Sequence, residues 1–175
     1  MAPPVPFLQP DRRLRAAPCA VRGDGRRLSP RRPGRDYSGP VRALVIGCGR
    51  VGSAVAKNLY QAGWEVSVVD ETEEALARLG DAWTGDFHLG HGMDTGVLEQ
   101  AGIADSDAVV VATDGDNSNI VIAQVAKLRY DVPSVSVRIL DPARAEFYAG
   151  RGFEIVSPTR TAIEALTASV LGDGR

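Results

Sequence analysis

Three glycines, at 47, 49 and 52, stand where the apolar run Ala43–Ile46 gives way to a segment with helical spacing. A G-x-G-x-x-G turn between a strand and a helix is built to hold a phosphate. Gly47 permits the tight turn, Gly49 lets backbone approach an anion, and Gly52 lets the helix pack on the sheet. The free N–H groups of a helix start, with ~0.5 of a positive charge, then face that anion. Cys48, Arg50 and Val51 lie within the turn, and the Arg50 guanidinium can donate to phosphate oxygens. Asp70 comes eighteen residues after the last glycine, at the end of the next strand, with Glu71 behind it. A carboxylate there accepts from ribose hydroxyls and repels a 2′-phosphate, which favours NAD(H) over NADP(H). The other phosphate-cradling loop is excluded. A Walker A motif needs Lys-Ser/Thr after its last glycine, and here Ser53 and Ala54 follow Gly52.

Two further clusters belong to the same end of the chain's strands. Gly90–Asp94, "GHGMD", follows the third strand and should wall the adenine side. Thr113 ends the fourth strand over the crevice, with Asp114, Asp116 and Asn119 beside it; Asp116 is equally a candidate helix cap. His88 and His91 are the two histidines, three residues apart with no third ligand nearby, so no metal site is expected. Trp64 and Trp83 read as core edge rather than stacking platforms.

These residues need a scaffold, and the periodicity supplies one. Strands are expected at Arg42–Ile46, Glu65–Asp70, Ala82–Gly85, Ala108–Ala112, Ser134–Ile139 and Phe153–Val156. Helices are expected at Arg50–Ala62, Glu73–Leu79, from Thr95, at Asp116–Tyr130, Pro142–Gly150 and Pro158–Leu171. The near-continuous valine run of the fourth strand, "AVVVA", suits a strand covered on both faces. Alternating strands and helices with short joints give an α/β fold. It is a Rossmann-like, doubly wound, parallel six-stranded sheet in the order 3-2-1-4-5-6, one domain with no second domain left over.

Composition bounds the rest. The chain has 175 residues, 44% hydrophobic and 24% charged, with net charge −2. Residues 1–40 carry nine Arg, no Lys and three Asp, a balance of +6, and eight of the eleven prolines. That segment is expected to be a disordered Pro/Arg-rich extension. Residues 41–175 hold eleven basic against nineteen acidic residues, a balance of −8, which argues against a nucleic-acid surface. Because the fold begins there, Val41 is a candidate natural start. Cys19 and Cys48 fit a reducing cytosol without a disulfide. No apolar run reaches the ~18 residues of a membrane span, so membrane association is expected to go through a partner.

The segments "VIGCGRVGSAVAKNL", "VSVVDETEEAL", "DAVVVATDGDNSNIVIAQVAKL" and "VSVRILDPARAEFYAGRGFEIVSPTRTAIEAL" together resemble the TrkA N-terminal domain family, also called the RCK/KTN nucleotide-binding domain. The resemblance spans residues 42–171. It implies a cytosolic gating subunit of a membrane potassium transporter or channel, peripheral to the membrane, that binds NAD(H), or ATP/ADP in some branches. It also implies dimers or higher rings. By the same resemblance Gly47, Gly49 and Gly52 form the phosphate turn, Asp70 is the ribose acid, and Arg50 reaches phosphates. Asp94, Asn119 and Arg138 match family positions, while His91 and Met93 depart from the family's G-D-x-T-D. The final helix, with Ile163, Leu166 and Val170 on one stripe, resembles an exchanged dimer helix. A second, C-terminal regulatory lobe is implied that these residues do not include. Three functions remain to be separated: a nucleotide sensor, an NAD-dependent oxidoreductase or its fragment, and an assembly module that binds no nucleotide.

Overall fold

A computed structural model of the chain describes residues 39–152 and 154–172. The expected extension therefore falls almost wholly outside the described residues, as do Phe153 and residues 173–175. Six strands form one sheet: β1 (Arg42–Ile46), β2 (Glu65–Asp70), β3 (Asp86–Leu89), β4 (Ala108–Val111), β5 (Ser134–Arg138) and β6 (Glu154–Val156). All neighbouring pairs are parallel, in the order β3-β2-β1-β4-β5-β6. The helices are α1 (Arg50–Gln61), α2 (Thr95–Gln100), α3 (Asp116–Leu128), α4 (Pro142–Tyr148) and α5 (Pro158–Leu171). Parallel neighbours need crossovers, and helices supply them on both faces, which is why β4 and all of β1 after Arg42 can be apolar.

Side chains alternate between the two faces of each strand. Leu44 and Ile46 of β1, Val109 and Val111 of β4, and Val135 and Val137 of β5 join one core with Leu98, Ile120, Ile122 and Ala145 from α2, α3 and α4. Ala43, Val45, Val66 and Val68 form the second core with Ala56 of α1 and Ala75 and Leu79 below β2. Each fully buried Val, Leu or Ile contributes ~1.5–3 kcal/mol by leaving water. Trp64 and Trp83 pack against the second core, Trp83 tilted on Tyr60 at 5.2 Å.

The sequence expectation errs at β3. The strand begins at Asp86, after the expected Ala82–Gly85 segment ends. Trp83 is spent on packing: a Cβ on Gly85 would lie 2.5 Å from the Trp83 ring and 2.6 Å from the Val66 carbonyl. The segment is thus a turn folded under the tryptophan, and the polar-looking "DFHL" pairs with β2 from Ser67↔Asp86 to Asp70↔Leu89. Glu73–Arg78 is a 3-10 segment rather than an α-helix, and a second such segment, Ile103–Asp105, was not expected.

The sheet reverses direction between β1 and β4, so the crevice that opens there lies at their carboxyl ends. At the far edge α5 buries no residue, and Ile163, Leu166, Val170 and Leu171 are 55–85% exposed. Deleting residues 158–175 should therefore leave a cooperative urea transition for the sheet. A loss of that transition by circular dichroism would show that α5 belongs to the core.

Candidate functional site

The three glycines of the turn have different physical reasons. Gly47 sits at φ +94°, and a Cβ there would lie 2.7 Å from the Thr113 backbone nitrogen. Gly52 has no room at all, since its Cβ would meet the Gly47 carbonyl at 1.7 Å. Gly49 has neither constraint. Its φ of −72° suits any residue, and a Cβ would meet nothing within 4 Å. The space over Gly49 is open, and it lies at the start of α1.

That start is unfurnished. The first bond of the helix is Ser53 N–H to the Gly49 carbonyl, so the amides of Arg50, Val51 and Gly52 have no partner among the described residues. Asp94, Asp141 and Ser157 cap α2, α4 and α5 with side-chain oxygens. By contrast α1 and α3, whose first turns open on the crevice, begin at Gly49 and Gly115 with no side-chain cap. Uncapped amides cost stability unless water or a ligand meets them.

The crevice is a cleft of about 570 Å³. Of the residues singled out from sequence, Gly47, Gly49, Arg50, Val51, Asp70, Glu71, Thr113, Asp114 and Arg138 line it. Cys48, Gly52, Asp94 and Asn119 do not. Gly52 supports the turn from beneath. Cys48 is buried, its Sγ donating to the Ala75 carbonyl at 3.3 Å; burial first, then the charge of Asp70, pushes its thiol up to about 11. Asp94 is a cap, accepting from the Gly96 N–H at 2.8 Å. Asp116 does not cap α3; its carboxylate accepts from the N–H groups of Leu140 and Asp141, which ties α3 to the turn before α4.

Asn119 is fully buried and saturated. Its Oδ1 accepts from the Thr113 N–H (3.1 Å) and hydroxyl (2.5 Å), and its Nδ2 donates to the carbonyls of Thr113 and Arg138, both at 2.9 Å. It clamps the ends of β4 and β5 together and positions the cleft wall from behind. Arg138 donates from Nη2 to the Thr113 carbonyl at 2.5 Å, while its Nε is buried without a partner. That donor finds no acceptor among the described residues.

Asp70 works inward as well. One carboxylate oxygen accepts the Cys48 N–H at 2.6 Å, and the other accepts from the Thr72 N–H (3.0 Å) and hydroxyl (2.7 Å). Burial pushes its pKa up, but these donors outweigh it and hold the carboxyl below its usual value. Thr72, Arg78, His91 and Ser118 also line the cleft. Sequence reasoning had no motif for Thr72, Arg78 or Ser118. Only their place in the topology, just past β2 and in the first turn of α3, brings them in.

Two outcomes follow. Asn119→Ala should cost ~2–4 kcal/mol in urea unfolding, because it strands buried backbone groups. Asn119→Asp, which keeps the shape but turns a carboxylate on two carbonyls, should be no milder; a wild-type midpoint for both would show the clamp to be idle. Asp70, with its folded pKa depressed, contributes stability fully present above its unfolded pKa of ~3.9 and lost as pH falls through the lower folded value. The stability gap between wild type and Asp70→Asn should thus be largest above about pH 5 and close below about pH 4. A gap independent of pH would mean that the carboxylate charge does not hold the turn.

A TrkA-N domain profile matches residues 43–158. The Trk system potassium uptake protein TrkA of Streptomyces coelicolor is 39% identical over 131 residues, covering 75% of this chain and 59% of that protein. The chain thus spans little more than half the length of this curated relative. Among solved structures, the TrkA-N domain of the inner membrane protein ybaL from Escherichia coli superposes with a TM-score of 0.66 at 16% identity, over 77% of this chain and 99% of that one. The GsuK channel bound to NAD superposes at 0.63 and 20% identity, over 77% of this chain and 24% of that one. These likenesses share the fold. With the profile spanning most of the described residues, and the glycine turn and Asp70 inside it, the chain belongs to the TrkA-N domain family.

Proposed function

We propose that this domain is a nucleotide-sensing regulatory module of a potassium transport system. In this reading the cleft binds an adenine nucleotide, NAD(H) in preference to ATP or ADP, and bound nucleotide biases a membrane potassium transporter or channel subunit. One observation carries the reading. Gly49 is a glycine that the fold itself does not require, at the mouth of a helix whose first amides are unpaired. That open space and those donors support the reading, since a diphosphate fits both. The orphaned Arg138 Nε and the Arg50 guanidinium on the same cleft add cationic donors. GsuK, which shares the fold, has been solved bound to NAD and to ADP, and TrkA of Streptomyces coelicolor is named for potassium uptake.

Sensing suits the cleft better than redox chemistry. At the β4–β5 end, where a nicotinamide would lie, the Thr113 hydroxyl is committed to Asn119. A dehydrogenase needs a group free to move a proton there. Regulation needs only a ligand that prefers one of two arrangements, by ~1–3 kcal/mol. A second copy is the natural element to cover α5. Its stripe of Ile163, Leu166 and Val170 is exposed, and Val156 of the edge strand β6 is bare beside it in sequence. No described helix is long and apolar enough to cross a membrane, so the proposed association with the membrane runs through the partner.

Titration calorimetry with NADH, NAD, ATP and ADP tests the reading. Wild type should bind at least one, NADH most tightly. Gly49→Val should abolish binding yet lower stability by no more than about 1 kcal/mol, since its side chain enters open space. Retained binding by Gly49→Val would refute the assigned phosphate seat, and no heat with any nucleotide would leave a passive assembly module as the better description.

A further inference from the structure

The adenosine end of the cleft carries four ionisable side chains, and three of them are already occupied. Asp70 accepts three donors from Cys48 and Thr72. Glu71 is faced by His91, Nε2 to Oε2 at 3.8 Å, across the gap between the loops that follow β2 and β3. The His91 ring is held from its other side, where Nδ1 accepts the Met93 N–H at 3.2 Å. The fourth is Arg78. Its backbone carbonyl is anchored by Lys57 Nζ at 2.9 Å. Its guanidinium lines the cleft with Asp70 and Thr72 and forms no hydrogen bond to a described residue. It lies close enough for its charge to act on both Asp70 and Cys48.

The charge balance of the cleft differs from that of the domain. Residues 41–175 carry a net −8, yet the cleft is lined by Arg50, Arg78 and Arg138 against Asp70, Glu71 and Asp114. At the ribose the oxygens of Asp70 accept three of the protein's own donors, though the hydrogen-bonded carboxylate keeps its charge. Beside Asp70 stands Arg78, a cation without a hydrogen bond to a described residue and with the fork geometry suited to phosphate. An arginine beside the strand-2 acid is the feature that accommodates a 2′-phosphate in dinucleotide folds.

We propose that Arg78 is a specificity-determining residue of this cleft, a phosphate seat beside the adenosine ribose that admits NADP(H) alongside NAD(H). The proposal rests on the reading that the cleft takes an adenine dinucleotide. It differs from the expectation that Asp70 alone decides against a 2′-phosphate.

The test is calorimetric titration of the full chain with NADH and NADPH at two salt concentrations, for wild type and for Arg78→Gln, which stays polar but loses the charge and the guanidinium fork. Arg78 is exposed, so the variant should unfold in urea with the wild-type midpoint. Wild type should bind NADPH within about tenfold of NADH. Arg78→Gln should weaken NADPH by about tenfold or more, the range of one charged hydrogen bond, and NADH by about twofold at most. The NADPH affinity of wild type should also fall more steeply with salt. Wild-type binding of NADH with NADPH more than tenfold weaker overturns the proposal. So does an Arg78→Gln variant that loses both ligands equally, which would place the guanidinium on the shared part of the dinucleotide. Failure to bind either dinucleotide removes the reading of the cleft itself, and this proposal with it.

Discussion

The structure turns on backbone donors that it declines to satisfy. A helix begins with amides that have no partner inside the helix, and chains ordinarily supply a Ser, Thr, Asp or Asn to meet them. This chain does so for α2, α4 and α5, each with a side-chain oxygen in place. It does not do so for α1 and α3, and those two are the helices that begin on the crevice between β1 and β4. Omission at the two sites that share a cleft is what a ligand-binding fold requires. A built-in cap would compete with the anion for the same N–H groups.

An open helix start is useful only if the loop before it holds still, and the polar residues behind the cleft do that work. Asp70 draws the Cys48 N–H across from the glycine turn, so the end of β2 fixes the geometry of the loop after β1. Asn119, with no exposed surface, does the same for β4 and β5 by filling all four of its hydrogen-bonding positions. Buried polar groups are tolerable when saturated and costly when not, so each of these networks specifies one arrangement of its loop. The Arg138 Nε is the exception that points outward in function. It is buried, without a partner, and on a residue that lines the cleft.

Much of this was legible from residue types. The order of the sheet follows from alternating strands and helices, and the valine run of β4 and the Gly47–Gly52 turn anchor it. What failed to read has physical causes. The expected Ala82–Gly85 strand is instead a turn, because the Trp83 ring packs on Tyr60 and closes over Gly85. Asp94 and Asn119 stood out as site residues because they are polar and lie near the right strand ends. Only coordinates show one acting as a cap and the other turned away from the cleft. Arg78 was invisible for the opposite reason: an arginine in a short acidic helix has no pattern, and only the way the 3-10 segment carries it back to Asp70 brings it to the cleft.

The same links that fix the site extend from it toward the edge of the sheet. The first residue of α3, Asp116, holds the N–H groups of Leu140 and Asp141, and Asn117 receives a hydrogen bond from Arg144 at 2.5 Å. The start of α3 is thereby joined to the start of α4. From α4 the chain runs through β6, an edge strand of three residues bonded only to β5, into α5. A rigid β1–β4 centre cannot move without breaking its core, whereas this lateral series consists of surface hydrogen bonds and a short edge strand. The first turn of α3 is thus linked, through exposed hydrogen bonds and a three-residue edge strand, to the helix that buries nothing of its own. A ligand that contacts only the glycine turn would leave that series untouched. One long enough to reach Thr113 and Arg138 would not.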